Sequence, residues 1–540
     1  MSRRQVRDIY PLTPMQQGML VHALRAPDEP VYQQQYVLAI TGVAAESALR
    51  AGLDDLVARH TVLRTGFAWE GGDQPLQVVF AQALLPLTVQ ELPGATPAEV
   101  DRRVAEVLAS QRGERLDLRR PPLLRAHALR IADDEWRLIT IHHHLVLDGW
   151  SVPTLHADLT ELLSARVAGR RADLPPAPPF RDFVSWLRGQ DGAAAEAHYK
   201  QLLGDVRRAT PLGIDRVARV SRSSGAIDLD RIVLHRPSAP GLRLEPLVRA
   251  RGLLPSTLVH AAWGLLLAAC AGTDDAVFGT TVSGRPPELD AVTDRVGMFV
   301  NTVPVRVSAA EGLRVGPWLA QVQRQLLASR EYEQTPVSTA MRCSGVPMGE
   351  PLFETVLGFQ NYFRDEPAAD RAAGPVRVRA IQQLEQTSVP LVISVALPAD
   401  RIWVRLDYDR RRIDRPAAEW LAERYFALLT ELALAPDTAA LGELAVSGPD
   451  GTRTPEPRAA GRTVPALLGR IRDHASARPN APAVSGPDGA LGYGELGRAV
   501  DAAAAALRAA GVVAGSRVAV AMPASAGLLA VSMAGLSLGA

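Results

Sequence analysis

The chain has 540 residues, with 59 Lys or Arg against 58 Asp or Glu, so its formal net charge is +1. A length of this order predicts three or four compact units at roughly 100 to 200 residues each. The balanced charge excludes a general attraction to nucleic acid or an anionic membrane surface, since both select a basic excess.

The opening MSRRQVRDIYPLTP carries basic residues but neither an apolar run nor a small-residue cleavage site, which reads as cytoplasmic rather than secreted. In residues 44–60, Leu49, Leu53, Leu56 and Val57 recur at helical spacing. Residues 62–67 (VLRTGF) follow as an apolar strand, completing an α/β unit. Residues 136–144 form a second extended run, which brings His142, His143 and His144 to a strand end and leaves 145–151 to a loop and turn. Residues 165–179 are basic and proline-rich and read as a linker, because successive prolines cannot donate to a ladder.

From about 180 to 435 helices and strands mix again. The most apolar stretch, residues 255–271, is shorter than the roughly 20 residues that span a bilayer. Pro255 at its start and Gly272 after its end mark it as a buried helix. Residues 277–286 and 298–307 read as extended. Cys270 and Cys343, the two cysteines present, lack CxxC or Cys/His spacing. Neither a disulfide framework nor a zinc ribbon follows, and both read as buried small apolar residues. Residues 436–463 turn to Ala, Asp, Gly, Pro and Arg, too polar to pack, and 464–540 restart an α/β pattern that breaks off within an apolar run. The expected organisation is therefore a first lobe at 1–175, a second at 176–435, a linker at 436–463 and a truncated unit at 464–540.

The stretch ITIHHHLVLDGWS (139–151) concentrates the chemistry. On a strand, His142 and His144 share a face and His143 points to the other. A metal site would use His142 and His144 with Asp148 or a distant carboxylate. A packed core would instead hydrogen-bond all three. An Asp at a turn four residues beyond His144 favours acid/base work, where an imidazole must be held in place.

Residues 143–149, HHLVLDG, resemble the HHxxxDG signature of nonribosomal peptide synthetase condensation domains, shared with chloramphenicol-acetyltransferase-like acyltransferases. Further stretches resemble that family's motifs in the family's order: DIYPLTPMQQGML (8–20), VLRTGF (62–67), FRDFVSWLRGQD (180–191), TVSGRPPELDAVTDRVGMFVNTVPVRV (281–307), EYEQTPVSTAMRCSGVPMGEPLFETVLGFQNY (331–362) and RLDYDRRRID (405–414). LGYGEL (491–496) and MAGLSLGA (533–540) resemble the first motifs of an adenylation domain. The phosphate-binding loop of that family is missing, so no adenylation is expected of this chain.

The resemblance implies an α/β fold of two chloramphenicol-acetyltransferase-like lobes in a V-shaped pseudo-dimer, with a partial N-terminal subdomain of an adenylation domain behind it. It implies amide bond formation between a donor acyl or peptidyl thioester and the amine of an acceptor aminoacyl thioester. Upstream and downstream peptidyl carrier proteins present both on 4'-phosphopantetheine arms, so no cofactor is expected on this chain itself. The synthetase's own adenylation domain is the further partner, and antibiotic or siderophore biosynthesis the setting. Neither a metal, a nucleic acid nor a membrane is implied.

His144 corresponds to the family's active-site histidine, as a general base or a hydrogen-bonding stabiliser of the tetrahedral intermediate, and His143 to its structural partner. Asp148 is expected in a structural salt bridge, with Arg285 or else Arg64, and Gly149 in a backbone role at the channel. Channel candidates are Trp150, Ser151, Gln360, Asn361, Thr387 and Ser388. Val389 stands where the family often has an aromatic residue. The YPLTPMQQGML and HHHLVLDGWS stretches lean toward a D-configured donor. The rivals are an epimerization domain and a non-catalytic recruiting module of the same fold, although such modules typically degrade the motif. Heterocyclization is excluded, because that branch replaces the histidine motif by an aspartate motif.

Overall fold

A computed structural model of the protein describes residues 6–25, 32–72, 74–214, 228–237, 244–310, 312–360, 374–384, 389–398, 401–444 and 464–539, apart from 487, 488, 514, 517, 523 and 524. The chain divides into two compact units, Met1–Gly451 and Thr452–Ala540.

The first unit opens with β1 (Val6–Pro11), α1 (Pro14–Arg25), β2 (Gln33–Thr41), α2 (Glu46–Arg59), β3 (Thr65–Ala68), β4 (Leu76–Phe80) and β5 (Leu87–Glu91). There follow α3 (Pro97–Gly113), β6 (Leu124–Ala132), β7 (Glu135–His143), α4 (Ser151–Val167), α5 (Arg181–Leu187) and α6 (Gly192–Leu203). Its second half comprises β8 (Leu229–Pro237), α7 (Leu244–Ala250), α8 (Pro255–Ala271), β9 (Asp275–Val282), β10 (Asn301–Ser308), α9 (Val315–Ser329) and α10 (Val337–Cys343). It ends with β11 (Thr355–Phe359), β12 (Arg377–Leu384), β13 (Leu391–Ala396), β14 (Arg401–Asp409) and α11 (Arg415–Leu434).

Two mixed sheets carry most of the strands, a five-stranded one in the order β12-β2-β7-β6-β5 and a six-stranded one in the order β10-β9-β11-β13-β14-β8, and β1, β4 and β3 form a third, three-stranded sheet in that order. In the first, β7 lies between β2 and β6, antiparallel to both. A central strand covered on both faces reads as a nearly continuous apolar run, which is what residues 136–141 show. One face packs Trp136, Leu138 and Tyr36 against Leu49, Leu53 and Val57 of α2 and Leu159 and Leu163 of α4. The other packs Val37, Leu129 and Ile139 against Val100, Val104 and Val107 of α3.

In the second sheet, β9, β13 and β14 bury Phe278, Ile393, Val395, Val404 and Tyr408 against α8, α9 and α11. Helix α8 begins at Pro255 and closes at Gly272, whose φ of +64° is the left-handed conformation glycine adopts without a Cβ penalty. Among the described residues no single helix is long and apolar enough to cross a membrane.

Four sequence expectations need correction. The lobe boundary is crossed: strand β12 lies within 176–435 yet hydrogen-bonds β2 of the first lobe's sheet, and the loop residues Val296, Met298, Phe299 and Val300 also join the first lobe's core. Residues 61–64 form a 3-10 turn before β3, because the Arg64 guanidinium donates to the carbonyls of Val57, Phe80 and Ala81. Met298, Phe299 and Val300 precede β10 rather than belonging to it. The segment from residue 436 packs instead of linking: Leu441 is buried, Val315 N donates to Ala439 O at 2.9 Å, and Leu441 N to Leu313 O at 2.9 Å.

The cysteines are less enclosed than expected. Cys270 is partly buried against the second lobe's core, where burial pushes its thiol up to about 12. Cys343 is partly exposed, its sulfur 3.5 Å from the Glu196 carbonyl oxygen.

The second unit contains α12 (Val464–Ala477), a hairpin of β15 (Pro482–Gly486) and β16 (Gly489–Gly492), α13 (Tyr493–Ala509) and α14 (Ala526–Ser537). Leu496, Val500 and Ala504 of α13 pack on Ala530, Met533 and Ala534 of α14. LGYGEL runs from strand into helix, where the Glu495 carboxylate accepts the Gly492 N–H at 2.9 Å.

Candidate active site

Strand β7 stops at His143, one residue earlier than expected, and His144 opens a turn that leads through Gly149 and Trp150 into α4. Alternation therefore reaches only His142 and His143. His142 pairs across the ladder with Gln34 and stacks on Tyr36, with centroids 5.6 Å apart and planes 16° from parallel. His143 is buried on the opposite face, and its Nδ1 accepts the Leu145 N–H at 3.1 Å. The proton of this neutral ring thus sits on Nε2.

His144 is half-buried. Its backbone N–H donates to Tyr32 O at 2.8 Å, and its Nδ1 lies 2.6 Å from Leu147 O. A carbonyl only accepts, so Nδ1 carries the proton and Nε2 keeps a lone pair. Among the described residues nothing is hydrogen-bonded to that Nε2. The turn is braced from below by Gln16 of the opening motif, whose amide donates to Leu145 O at 2.8 Å and exchanges hydrogen bonds with Gln77.

Asp148 is fully buried. Its Oδ1 accepts from Ser151 N at 2.8 Å, Ser151 Oγ at 2.7 Å and Arg285 Nη2 at 3.1 Å. Its Oδ2 accepts from Phe299 N at 3.0 Å and Val300 N at 3.3 Å. Every neighbour is a donor, and the Arg285 guanidinium makes the pair a salt bridge. Those last two bonds also explain why β10 starts late: the N–H groups of Phe299 and Val300 serve Asp148 instead of a ladder.

Arg285 reaches Asp148 from the SGRPP stretch. Its Nη1 donates to Val292 O at 2.7 Å and Arg295 O at 2.8 Å, and its guanidinium lies 4.2 Å from the Phe299 ring centroid. Gly284 makes this approach possible. Its φ is +63°, and a Cβ there would meet Phe299 O at 1.9 Å. Arg64, the alternative partner, is engaged with backbone carbonyls elsewhere and does not pair with Asp148.

Ser151 is not a channel residue. It is fully buried, and its hydroxyl, which has one proton to give, lies 2.7 Å from Asp148 Oδ1 and 2.9 Å from Gly297 O while accepting Gly297 N at 3.0 Å. Trp150 is half-buried against the first lobe's core, and Gly149 is half-buried in the turn. Gln360 directly follows β11, its N–H donating to Val395 O at 2.7 Å. Asn361, Thr387 and Ser388 lie outside the described residues. Gln16, Tyr32 and Gly297 escaped the sequence reading. The glutamine and the glycine fall inside quoted motifs, but nothing local marks a long-range hydrogen bond.

Four histidines, His142, His143, His156 and His260, resist protonation. Burial, then the neighbouring His144, pushes His142 and His143 down to about 3, and burial pushes His156 and His260 down to about 4. Above about pH 6.5 these rings are neutral whether folded or unfolded. Below it the unfolded chain takes up protons that the folded chain refuses until about pH 4 to 3. Stability therefore falls as pH falls, by about 1.4 kcal/mol per pH unit for each such histidine. Urea midpoints at about pH 7 and about pH 5 should show this drop, with a smaller one in His260→Gln. Equal midpoints at the two pH values would mean that the rings are protonated without unfolding.

The condensation domain family model matches residues 6–447, and the AMP-binding enzyme model matches residues 471–540. One of the linear gramicidin synthase proteins of Brevibacillus parabrevis is 33% identical over 442 residues, 80% of this chain but 9% of that protein. Surfactin synthase subunit 3 of Bacillus subtilis (strain 168) is 26% identical over 523 residues, 96% of this chain and 40% of that protein. The chain thus spans less than half the length of either relative. Among solved structures, the X-domain in complex with OxyB from teicoplanin biosynthesis superposes with a TM-score of 0.68 at 24% identity, covering 82% of this chain and 96% of that one. The starter condensation domain of rhizomide synthetase gives 0.66 at 17% identity, covering 82% and 100%. These two likenesses show the fold, and the family match over 6–447 shows more: the chain belongs to the condensation domains of nonribosomal peptide synthetases, followed by the start of an AMP-binding domain.

Proposed function

We propose that this chain forms an amide bond between two carrier-bound thioesters at His144. The observation that carries this reading is the hydrogen bond from His144 Nδ1 to Leu147 O at 2.6 Å, which leaves Nε2 as an acceptor. The acceptor's amine nitrogen attacks the donor's thioester carbonyl, and a C–N bond forms. Nε2 accepts from the N–H that must be lost, the tetrahedral intermediate collapses, and the C–S bond breaks to release the donor's pantetheine thiolate, which ends as a thiol with that proton. A thioester is already activated, so no covalent enzyme intermediate is required. Holding two tethered reactants in line supplies much of the rate, roughly 7 to 11 kcal/mol in favourable cases. The site's other residues act on geometry: Asp148, Ser151, Arg285 and Gly297 hold the turn, and Gly149 keeps its backbone close to the pantetheine arm.

The donor is proposed to be D-configured, on the stretches 10–20 and 142–151. Synthetic aminoacyl-pantetheine donors of both configurations, loaded on an upstream carrier and offered with a loaded downstream carrier, decide the matter by mass spectrometry of the product. A product from the D donor is expected. A product from the L donor alone overturns the stereochemistry, and an inverted donor without amide product supports epimerization. A recruiting module is the second reading, because the similar X-domain of teicoplanin biosynthesis is seen with OxyB bound. No product with either donor, on carriers shown to be loaded, would favour it.

A further inference from the structure

Tyr32 has φ +60°, one of two non-glycine residues with positive φ among those described. L side chains seldom enter this region, and a residue stays there only where its surroundings over-determine it. Three contacts do so. The Tyr32 carbonyl accepts the backbone N–H of His144 at 2.8 Å. Its ring tilts against His143, centroids 6.3 Å apart. Its hydroxyl lies 2.9 Å from Nδ1 of His22 in α1, and those two rings meet edge-on at 5.4 Å. The residue that grips the backbone of His144 is therefore tied, through its own side chain, to a different element of the fold.

We propose that Tyr32 and His22 are positioning residues for His144. The phenol donates to His22 Nδ1, and this bond to α1 holds the left-handed Tyr32 backbone in the pose from which its carbonyl fixes His144. Neither side chain needs to touch substrate. The proposal rests on the reading of His144 as the condensing residue, and its test separates the two.

The full chain is assayed as wild type, Tyr32→Phe, His22→Ala, His22→Asn, Tyr32→Phe/His22→Ala and His144→Ala, with loaded donor and acceptor carriers. Small displacements of a reacting group can cost up to about 100-fold, so Tyr32→Phe and His22→Ala should each lower kcat about 10- to 100-fold. KM for both carriers and the unfolding midpoint should stay near wild type. His22→Asn, whose amide oxygen can stand in for Nδ1, should restore most of the rate, and the double variant should be no worse than either single one. Wild-type kcat in both single variants, with His144→Ala inactive, overturns the positioning role alone. So does a rate that falls only in step with the unfolding midpoint, or a failure of His22→Asn to restore it. An active His144→Ala overturns the condensation reading instead.

Discussion

His144→Ala is expected to lower amide formation by about 10²- to 10⁴-fold, the usual loss when a proton-handling group is removed. The fold should survive, because among the described residues the half-buried ring makes one hydrogen bond, to Leu147 O, and the backbone bond to Tyr32 O does not depend on the side chain. His143→Ala should behave in the opposite way. The residue is 3% exposed and its Nδ1 accepts the Leu145 N–H, so truncation opens a cavity and orphans a buried donor. Mass spectrometry of the product and urea unfolding of both variants read the two effects separately. A stable but inactive His143→Ala, or an active His144→Ala, would reverse the assignment of the two rings.

What sequence periodicity sees is local, and the structure divides along that line. The burial of Leu49, Leu53, Leu56 and Val57, and the punctuation of α8 by Pro255 and Gly272, were legible because each depends on neighbours within a few turns. The β12 exchange was not, because pairing Gln35 with Leu384 joins residues far apart in the chain and leaves no periodic trace. Ser151 illustrates the same limit inside the motif. It is adjacent in sequence to half-buried Trp150, yet it is spent on Asp148 and Gly297, a residue of the other lobe's loop. Tyr32 was illegible for another reason: left-handed backbone is ordinarily announced by glycine or asparagine, and here a tyrosine is held there by its contacts. The Asp148–Arg285 pair could be expected from the ordered motifs, but the hydrogen bonds that Gln16, Tyr32 and Gly297 add to the turn could not.

Asp148→Asn tests that bracing. The carboxylate accepts from Ser151 N, Ser151 Oγ, Arg285 Nη2, Phe299 N and Val300 N. An amide offers one acceptor oxygen and turns an NH2 toward the remaining donors. Whichever way it flips, either the pair of N–H groups from Phe299 and Val300 or the Ser151 and Arg285 donors lose their acceptor. Arg285 has a side chain only 6% exposed and would keep a buried charge with no carboxylate beside it. Breaking a buried pair in this way costs about 3 to 5 kcal/mol. The unfolding midpoint in urea should therefore fall sharply, while activity per folded molecule falls far less than in His144→Ala. Adding Arg285→Met removes the orphaned charge, so the double variant should recover part of the midpoint, a non-additivity that reports the direct pairing. If Asp148→Asn instead unfolds like wild type and loses turnover, Asp148 takes part in the chemistry and the structural account of the salt bridge fails.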